Sequence, residues 1–286
     1  MPPTVHLIDA SPYLFRAFFS VPSSVVDTKG KPANAVHGFT SFLAKYIADI
    51  KPTHLGVAFD RHFNQSFRND VYPPYKAHRD ASPPELDAQV DPALAVTEAL
   101  GCATFIDETH EADDLIATII QQTKKRGTEY VIVTSDKDMT QLVTDRCVVV
   151  DPARDLRFDA AAVEEKFGVK PEQVTDYLGL CGDAVDNIPG VRGIGPKTAA
   201  QLLQEYGSIE GIYKHLPAIR KTLAAKLEQD AELAVLSKHL ATVSTESPIE
   251  VTLDALRYRG PDEERITTLF AALGFNTLRE RVLRSL

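Results

Sequence analysis

Nine acidic side chains sit where a chain could use them together: Asp9, Asp60, Glu111, Asp113, Asp114, Asp136, Asp138, Asp183 and Asp186. Asp9, Asp60 and Asp136 fall at or near the carboxyl ends of the apolar runs TVHLIDA, THLGVAFD and EYVIVTSD. In HEADDLIATII, Glu111 and Asp114 are three apart at a helix start and share a face. In VTSDKDMTQL, Asp136 and Asp138 leave a strand two residues apart and point the same way. In GDAVDN, Asp183 and Asp186 are expected on one helical face. Each pair taken alone is also what a helix start selects, because short acids cap it and the macrodipole favours negative charge there. Gathered at one sheet edge, all nine would repel one another unless cations neutralised them. Oxygen donors without His or Cys suit Mg²⁺ or Mn²⁺ rather than zinc. Two such ions about 4 Å apart form a clamp for phosphodiester hydrolysis. With these nine set aside, acidic and basic residues are equal at 31 each.

Two further segments carry cations. SFRNDVYPPYKAHR holds Arg68, Lys76 and Arg79 to offset phosphate charge, and Tyr72 or Tyr75 to stack on a base, as suits single strands. The alternative is a solvated loop with its aromatics in the core. GVRGIGPK, residues 190–197, lets the backbone approach a phosphate and leads Lys197 into the positive end of the next helix. A plain turn between helices would also hold glycine. Residues 190–226 contain six basic side chains and two acidic ones, against a net charge of −9 for the whole chain. The sum argues mildly against a nucleic-acid partner, but the distribution does not.

The elements that must position these groups follow a β–α rhythm. Strands are expected at 4–10, 53–60, 102–107, 129–136 and 147–151, with helices at 11–20, 34–50, 84–101, 111–126 and 137–144. This predicts an α/β fold with a mostly parallel sheet and helices on both faces, with ligands beyond the carboxyl ends of the strands. Residues 61–83 interrupt the rhythm as a long polar loop, and Pro92 predicts a kink or break in the helix that follows. From about residue 160 the pattern turns helical, at 159–167, 171–181, 196–206, 208–214, 217–228 and 230–242. SPIEVTLDALRY reads as a short extended return and 261–273 as a last helix. No apolar run approaches the ~18 residues of a membrane span. The N-terminus reads as a first strand rather than a signal peptide. Cys102, Cys147 and Cys181 read as buried free thiols of a cytoplasmic protein.

The motifs LIDASPYLFRAFF, VAFD, SFRNDVYPPYKAHR, EADD, TSDKDMTQL and GDAVDNIPGVRGIGPKTA, in this order, resemble those of the bacterial 5′ nuclease family. That family includes the N-terminal domain of DNA polymerase I and the flap endonucleases. Here the resemblance is to that domain as a stand-alone chain, with no polymerase segment in the 286 residues. It implies a PIN-like catalytic domain over residues 1–160 with an arch near 61–95. Residues 161–286 would form a helical DNA-binding region with a helix-hairpin-helix motif near 182–203.

The implied activity is 5′→3′ exonuclease and 5′-flap endonuclease cleavage in replication and repair, by a monomer that grips DNA ends, flaps or nicks without sequence preference. One metal would lie near Asp9, Asp60, Glu111 and Asp113, with Asp113 or Asp114 shared or behind it. The second would lie near Asp136, Asp138, Asp183 and Asp186. Lys76 and Arg79 would meet the scissile phosphate. Arg16, Arg68, Tyr75, Arg192, Gly193, Gly195, Lys197 and Thr198 would meet DNA. The hairpin carbonyls of Leu180, Cys181, Pro189, Val191 and Ile194 would hold K⁺. His78 stands where the family has glycine, which implies a stiffer loop. The alternatives are a PIN-like ribonuclease that removes RNA primers, which a duplex-gripping hairpin disfavours, and a non-catalytic binder of branched DNA, which the intact acidic set disfavours.

Overall fold

A computed structural model describes residues 3–285. The chain forms two compact units, neither continuous in sequence. The first takes the chain up to Ser66, Ala81–Ser135 and the chain from Ser244 on; the second takes Phe67–Asp80 and Asp136–Val243.

The first unit opens with β1 (Thr4–Asp9), α1 (Ser11–Ser20), α2 (Asn34–Ile50) and β2 (His54–Asp60). The chain then contributes the short helix α3 (Arg68–Val71) to the second unit. It returns with α4 (Pro84–Asp87), α5 (Val90–Ala99), β3 (Ala103–Asp107), α6 (Ala112–Thr123) and β4 (Glu129–Val133). The second unit continues with β5 (Cys147–Asp151), β6 (Leu156–Phe158), α7 (Ala160–Phe167), α8 (Val174–Cys181), α9 (Pro196–Tyr206), α10 (Ile209–Lys214), α11 (Lys221–Gln229) and α12 (Ala231–Ala241). Finally α13 (Glu263–Ala272) and α14 (Asn276–Ser285) rejoin the first unit.

In the first unit β1 lies between β2 and β4, and β3 flanks β2, all parallel. The register pairs Ile8 with Val57 on one side and with Val133 on the other. Val5, Leu7, Ile8, Leu55, Val57, Phe59 and Ile132 are fully buried, as strands covered by helices require. The same register brings Asp9, Asp60 and Asp107 to the carboxyl edge, with Asp60 and Asp107 as direct neighbours. In the second unit β5 and β6 pair antiparallel, and the helices α7–α12 follow.

Four features depart from the pattern read in the sequence. SPIEVTLDALRY forms no strand; it makes a 3₁₀ turn, Leu253–Leu256, capped where Thr252 Oγ1 accepts from the Ala255 N–H. One bridge, His54 to Arg257, straps it to β2. The edge strand β6 and the terminal helix α14 were not expected; the first is only three residues long, and the second offers the interior only the narrow stripe of Leu278 and Val282. Residues 137–144 tighten to a 3₁₀ turn, Asp138–Leu142.

The expected break near Pro92 falls just before it, between α4 and α5. Pro92 itself sits in the first turn of α5, where a missing N–H costs no helical bond. The gap is used: Gln89, buried, accepts through Oε1 from the Ala35 and Val36 N–H groups at the start of α2.

Candidate active site

In the first unit the carboxylates meet at the ends of β1 and β2 and the start of α6. Asp9 is 4% exposed; its Oδ1 accepts from the Ser11 N–H at 3.1 Å and its Oδ2 from the Thr134 hydroxyl at 2.8 Å. Asp60 Oδ1 accepts from the Ala112 N–H at 2.6 Å, so an open donor of the α6 terminus fixes it. Glu111 is the N-cap residue of α6, buried, and Asp113 lies two residues on in its first turn, half-buried. Asp9 and Asp60 thus end neighbouring strands, and Asp60 is tied to the helix start that carries Glu111 and Asp113.

Asp114 was expected to be shared with the metal or behind it, and the structure seats it inside the helix start. It is fully buried, with Oδ2 taking the Glu111 N–H at 3.1 Å and Oδ1 the Ser244 N–H at 2.7 Å. Its carboxylate ties the chain that returns from Ser244 to the start of α6. Buried N–H groups need such partners, so the helix-cap reading governs this residue.

In the second unit Asp136, Asp138, Asp183 and Asp186 gather with three cations. Asp136 Oδ1 accepts from the Asp138 N–H at 2.8 Å. Lys137 Nζ reaches Asp183 Oδ2 at 2.7 Å and Asp138 Oδ1 at 3.8 Å. Asp186 is joined by Arg79, by Lys76 at 3.8 Å and by the Tyr75 hydroxyl at 3.1 Å. Burial pushes the carboxyls of Asp136 and Asp138 above the ordinary range, and neighbouring acids add to this: Asp186 for the first, Asp136 for the second. Burial alone would lower the Lys137 ammonium, but Asp138 and Asp183 overcome it and hold it above the usual lysine value. Lys137 is the residue that sequence reasoning missed. Its signal was its position between Asp136 and Asp138.

Asp183 and Asp186 do not share a helical face. Gly182, at φ +71°, ends α8, and the chain doubles back so that Asp183 and Ile188 exchange backbone hydrogen bonds of 3.0 and 2.8 Å. Asp183 Oδ1 accepts from the Val185 N–H at 2.7 Å within this loop. The segment carrying Lys76 and Arg79 is clamped to the same loop. The Lys76 N–H donates to the Asp186 carbonyl, Arg79 Nε to the Val185 carbonyl and Asn187 Nδ2 to the Pro74 carbonyl. Lys76 adopts a left-handed φ of +54°, whereas His78, in the position of the family's glycine, does not. No positive φ is required at residue 78, so histidine there meets no backbone strain.

Two residues expected to face DNA are interior. Arg68 is 3% exposed, donates to the Leu240 carbonyl at 2.9 Å and the Thr242 carbonyl at 3.1 Å, and lies over the Phe67 ring. Tyr75 is 3% exposed, with its hydroxyl on Asp186, so its ring is not presented to a base. A basic or aromatic residue in a polar loop still finds the interior when carbonyls or carboxylates there need a donor. Arg16, by contrast, is exposed on α1.

Between α8 and α9 the hairpin is compact. A Cβ on Gly190 would lie 2.3 Å from the Gly182 nitrogen, so the two turns press backbone on backbone. The Val191 N–H donates to the Leu180 carbonyl and the Ile194 N–H to the Val191 carbonyl, which draws part of the expected carbonyl set into one turn. Pro189 and Cys181 line the same contact, Pro189 beside Gly182 and Cys181 beside Gly190. The Cys181 thiol, half-buried rather than buried, is pushed up to about 11 by burial. Gly195 and Lys197 are exposed and Thr198 half-buried at the start of α9. Gly193 is exposed and accepts from Lys226 Nζ at 3.1 Å. Arg192 is exposed but engaged: with its N–H and guanidinium it grips Asp230, which is buried and held down to about 2 by the Arg192 hydrogen bonds.

Among the described residues no group of three or more His, Cys, Asp and Glu is drawn together tightly enough to hold an ion as it stands. In the second unit lysine and arginine side chains stand among the acids instead. Both clusters offer carboxylate oxygens alone, and the second already requires positive charge. That donor chemistry fits a hard divalent cation.

Comparison with known proteins divides the chain along the sequence, at residue 168, rather than by compact unit. The model of the 5′-3′ exonuclease N-terminal resolvase-like domain matches residues 4–168, and that of the 5′-3′ exonuclease C-terminal SAM fold matches 169–264. DNA polymerase I of Bacillus subtilis (strain 168) is 40% identical over 281 residues, covering 96% of this chain and 32% of that protein. DNA polymerase I of Mycobacterium tuberculosis (strain H37Rv) is 38% identical over 289 residues, covering 99% and 32%. The chain thus spans about a third of the length of these relatives.

Among solved structures, the T5 D15 protein co-crystallized with metal ions superposes with a TM-score of 0.70 at 21% identity, over 99% of both chains. The bacteriophage T5 D15 flap endonuclease, as a pseudo-enzyme-product complex with DNA and metal ions, gives 0.69 at 21% identity, over 99% of this chain and 98% of that one. The catalytic core of Rad2 in complex with DNA substrate gives 0.63 at 14% identity, over 99% and 91%. These likenesses establish the fold: a PIN-like, resolvase-type α/β domain with a mostly parallel sheet, followed by a helical SAM-like region. No helix among the described residues is long and apolar enough to cross a membrane.

Proposed function

Since the chain belongs to the 5′-3′ exonuclease family, we propose that it is a structure-specific, metal-dependent 5′ nuclease that hydrolyses DNA phosphodiesters as a 5′→3′ exonuclease and 5′-flap endonuclease. The observation that carries this reading is the pair of acidic clusters, all of oxygen donors, one at the carboxyl edge of the parallel strands and one around the loop after α8. Asp9, Asp60, Glu111 and Asp113 would hold one Mg²⁺ or Mn²⁺; Asp136, Asp138, Asp183 and Asp186 would hold the other. When bound, the ions activate a water and offset the charge that builds on the phosphate.

The chain's own groups then have definite tasks. Asp114 holds the start of α6, and with it Glu111 and Asp113, in place. Lys76 and Arg79, clamped to the Asp186 loop, bring positive charge to the phosphate being cut. The hairpin after α8 offers the N–H groups at the start of α9 and exposed Lys197 to a duplex backbone, a contact that reads no sequence. Carbonyls of Leu180, Cys181, Pro189, Val191 and Ile194 would hold K⁺ in that hairpin. Residues 1–160, with Asp183 and Asp186, would supply the chemistry and the rest of 161–286 most of the grip on DNA, in a monomer working in the cytoplasm during replication and repair. Structural neighbours solved with DNA and metal ions support a DNA substrate.

The test is cleavage of an end-labelled 5′-flap duplex in Mg²⁺ and in EDTA, by the parent and by Asp183→Asn. We expect cleavage near the junction in Mg²⁺, none in EDTA, and a loss of orders of magnitude in the variant. Equal cleavage in EDTA would reject the metal-dependent reading.

A further inference from the structure

We propose that Lys137 is a tethered counter-cation for the carboxylates of the second unit: its ammonium holds Asp183 and Asp138 together until a divalent ion displaces it. The inference rests on the metal reading above and adds a residue that the nine acids do not include.

The geometry is specific. Lys137 lies between two of the acids in sequence, at the start of the 3₁₀ turn Asp138–Leu142. Its side chain leaves that turn and crosses to the loop after α8, where Nζ meets Asp183 Oδ2 at 2.7 Å. Asp183 is 7% exposed, so this is not a loose surface pair. Asp138 Oδ1 is 3.8 Å away on the other side. One ammonium therefore stands between two carboxylates from separate segments.

Two electrostatic requirements meet here. Without a cation, buried like charges are costly. Asp136 and Asp138 already show this, their carboxyls pushed upward by burial, with Asp186 adding to the first and Asp136 to the second. An ammonium on a flexible four-carbon stem meets the need without being a metal ligand, because it can withdraw. A guanidinium at the same place would also supply charge, but its planar fork binds carboxylates in pairs and yields them less readily. Lys137 is 38% exposed, so a path to solvent is open when it leaves. Ammonium and divalent ion compete for the same oxygen of Asp183, so the lysine sets how much metal is needed.

The test uses the whole chain without DNA, with Lys137→Met, Lys137→Arg and Asp183→Asn as variants. Thermal midpoints are measured in EDTA and in saturating Mn²⁺, and Mn²⁺ binding is followed by the free-ion electron paramagnetic resonance signal. We expect Lys137→Met to unfold at lower temperature than the parent in EDTA, with the gap closing in saturating Mn²⁺. We expect it to bind the Asp183-dependent Mn²⁺ roughly two- to fivefold tighter, the factor an ion pair of ordinary strength imposes as a competitor. Lys137→Arg should restore the EDTA midpoint without the gain in affinity. A Lys137→Met protein that matches the parent in both EDTA midpoint and Mn²⁺ affinity overturns the inference alone. A parent that binds no Mn²⁺ removable by Asp183→Asn overturns the metal reading and this inference together.

Discussion

Replacing Arg68 by Met separates two accounts of the basic loop. In the structure its guanidinium is interior and serves the carbonyls of Leu240 and Thr242 at 2.9 and 3.1 Å, fastening the segment that carries Lys76 and Arg79 to the end of α12. Methionine keeps much of the length but donates nothing. Each abandoned buried carbonyl costs roughly 1–3 kcal/mol. Loss of the contact over the Phe67 ring, 4.7 Å from its centroid, adds roughly 0.5–1 kcal/mol. Relief from burying a charge offsets part of this. The net expectation is a loss of about 2–4 kcal/mol, or roughly 3–7 °C in the thermal midpoint for a chain of this size. Thermal unfolding by circular dichroism in EDTA measures it, and a salt titration of flap-duplex binding in Ca²⁺ measures the other account. We expect the midpoint to fall and the slope of log affinity against log salt to stay near the parent's. A midpoint within about a degree of the parent, together with a flatter slope, would place Arg68 on phosphate and refute the argument.

Asp136→Asn should reduce flap cleavage in Mg²⁺ by orders of magnitude, yet its EDTA midpoint should hold or rise, because burial and Asp186 already oppose the charge it removes; near-parental turnover would reject its place at a metal. Lys197→Ala should weaken duplex binding in Ca²⁺ and lower the salt slope by about one phosphate. Arg192→Ala should change the slope less, since its guanidinium is engaged by Asp230; equal effects would show that the ion pair opens on DNA. Gly190→Ala should cost roughly 3 kcal/mol or more, because its Cβ would meet backbone at 2.3 Å at a φ of +62°, and a parental midpoint would rule out that contact. Asp230→Asn tests the pH dependence. The folded-state pKa of Asp230 is depressed to about 2, so its stabilisation is present above the ordinary carboxylate range near pH 4. It is lost as pH falls toward 2, and the gap between parent and variant midpoints should close over that interval; a constant gap would mean the charge is not what stabilises.

The sequence alone carried the α/β rhythm and most of the acids, because both are local signals. Val5, Leu7 and Ile8 form an apolar run that only a covered parallel strand explains, and Asp9 ends it. The helices α1, α2 and α9 fall where their periodicity put them, since an apolar stripe repeating every 3.6 residues needs no distant information. Family order of motifs did the same for the chemistry. What the tertiary structure decided was the partner of each polar group. Asp114 and Asp113 are adjacent in EADD, yet Asp114 is spent on the Ser244 N–H, 130 residues away in sequence. Arg68 and Arg79 lie in one basic loop, but carbonyls of α12 and the chain just after it take the first and Asp186 the second. Asp183 and Asp186 have helical spacing, and only the press of Gly190 against Gly182 shows that they lie on a reversing loop. Lys137 reads as one more surface lysine until Asp183 arrives from 46 residues away. Hydrophobic periodicity is written along the chain, but the pairing of a buried charge depends on which segments fold beside it, and that is a property of the assembled molecule.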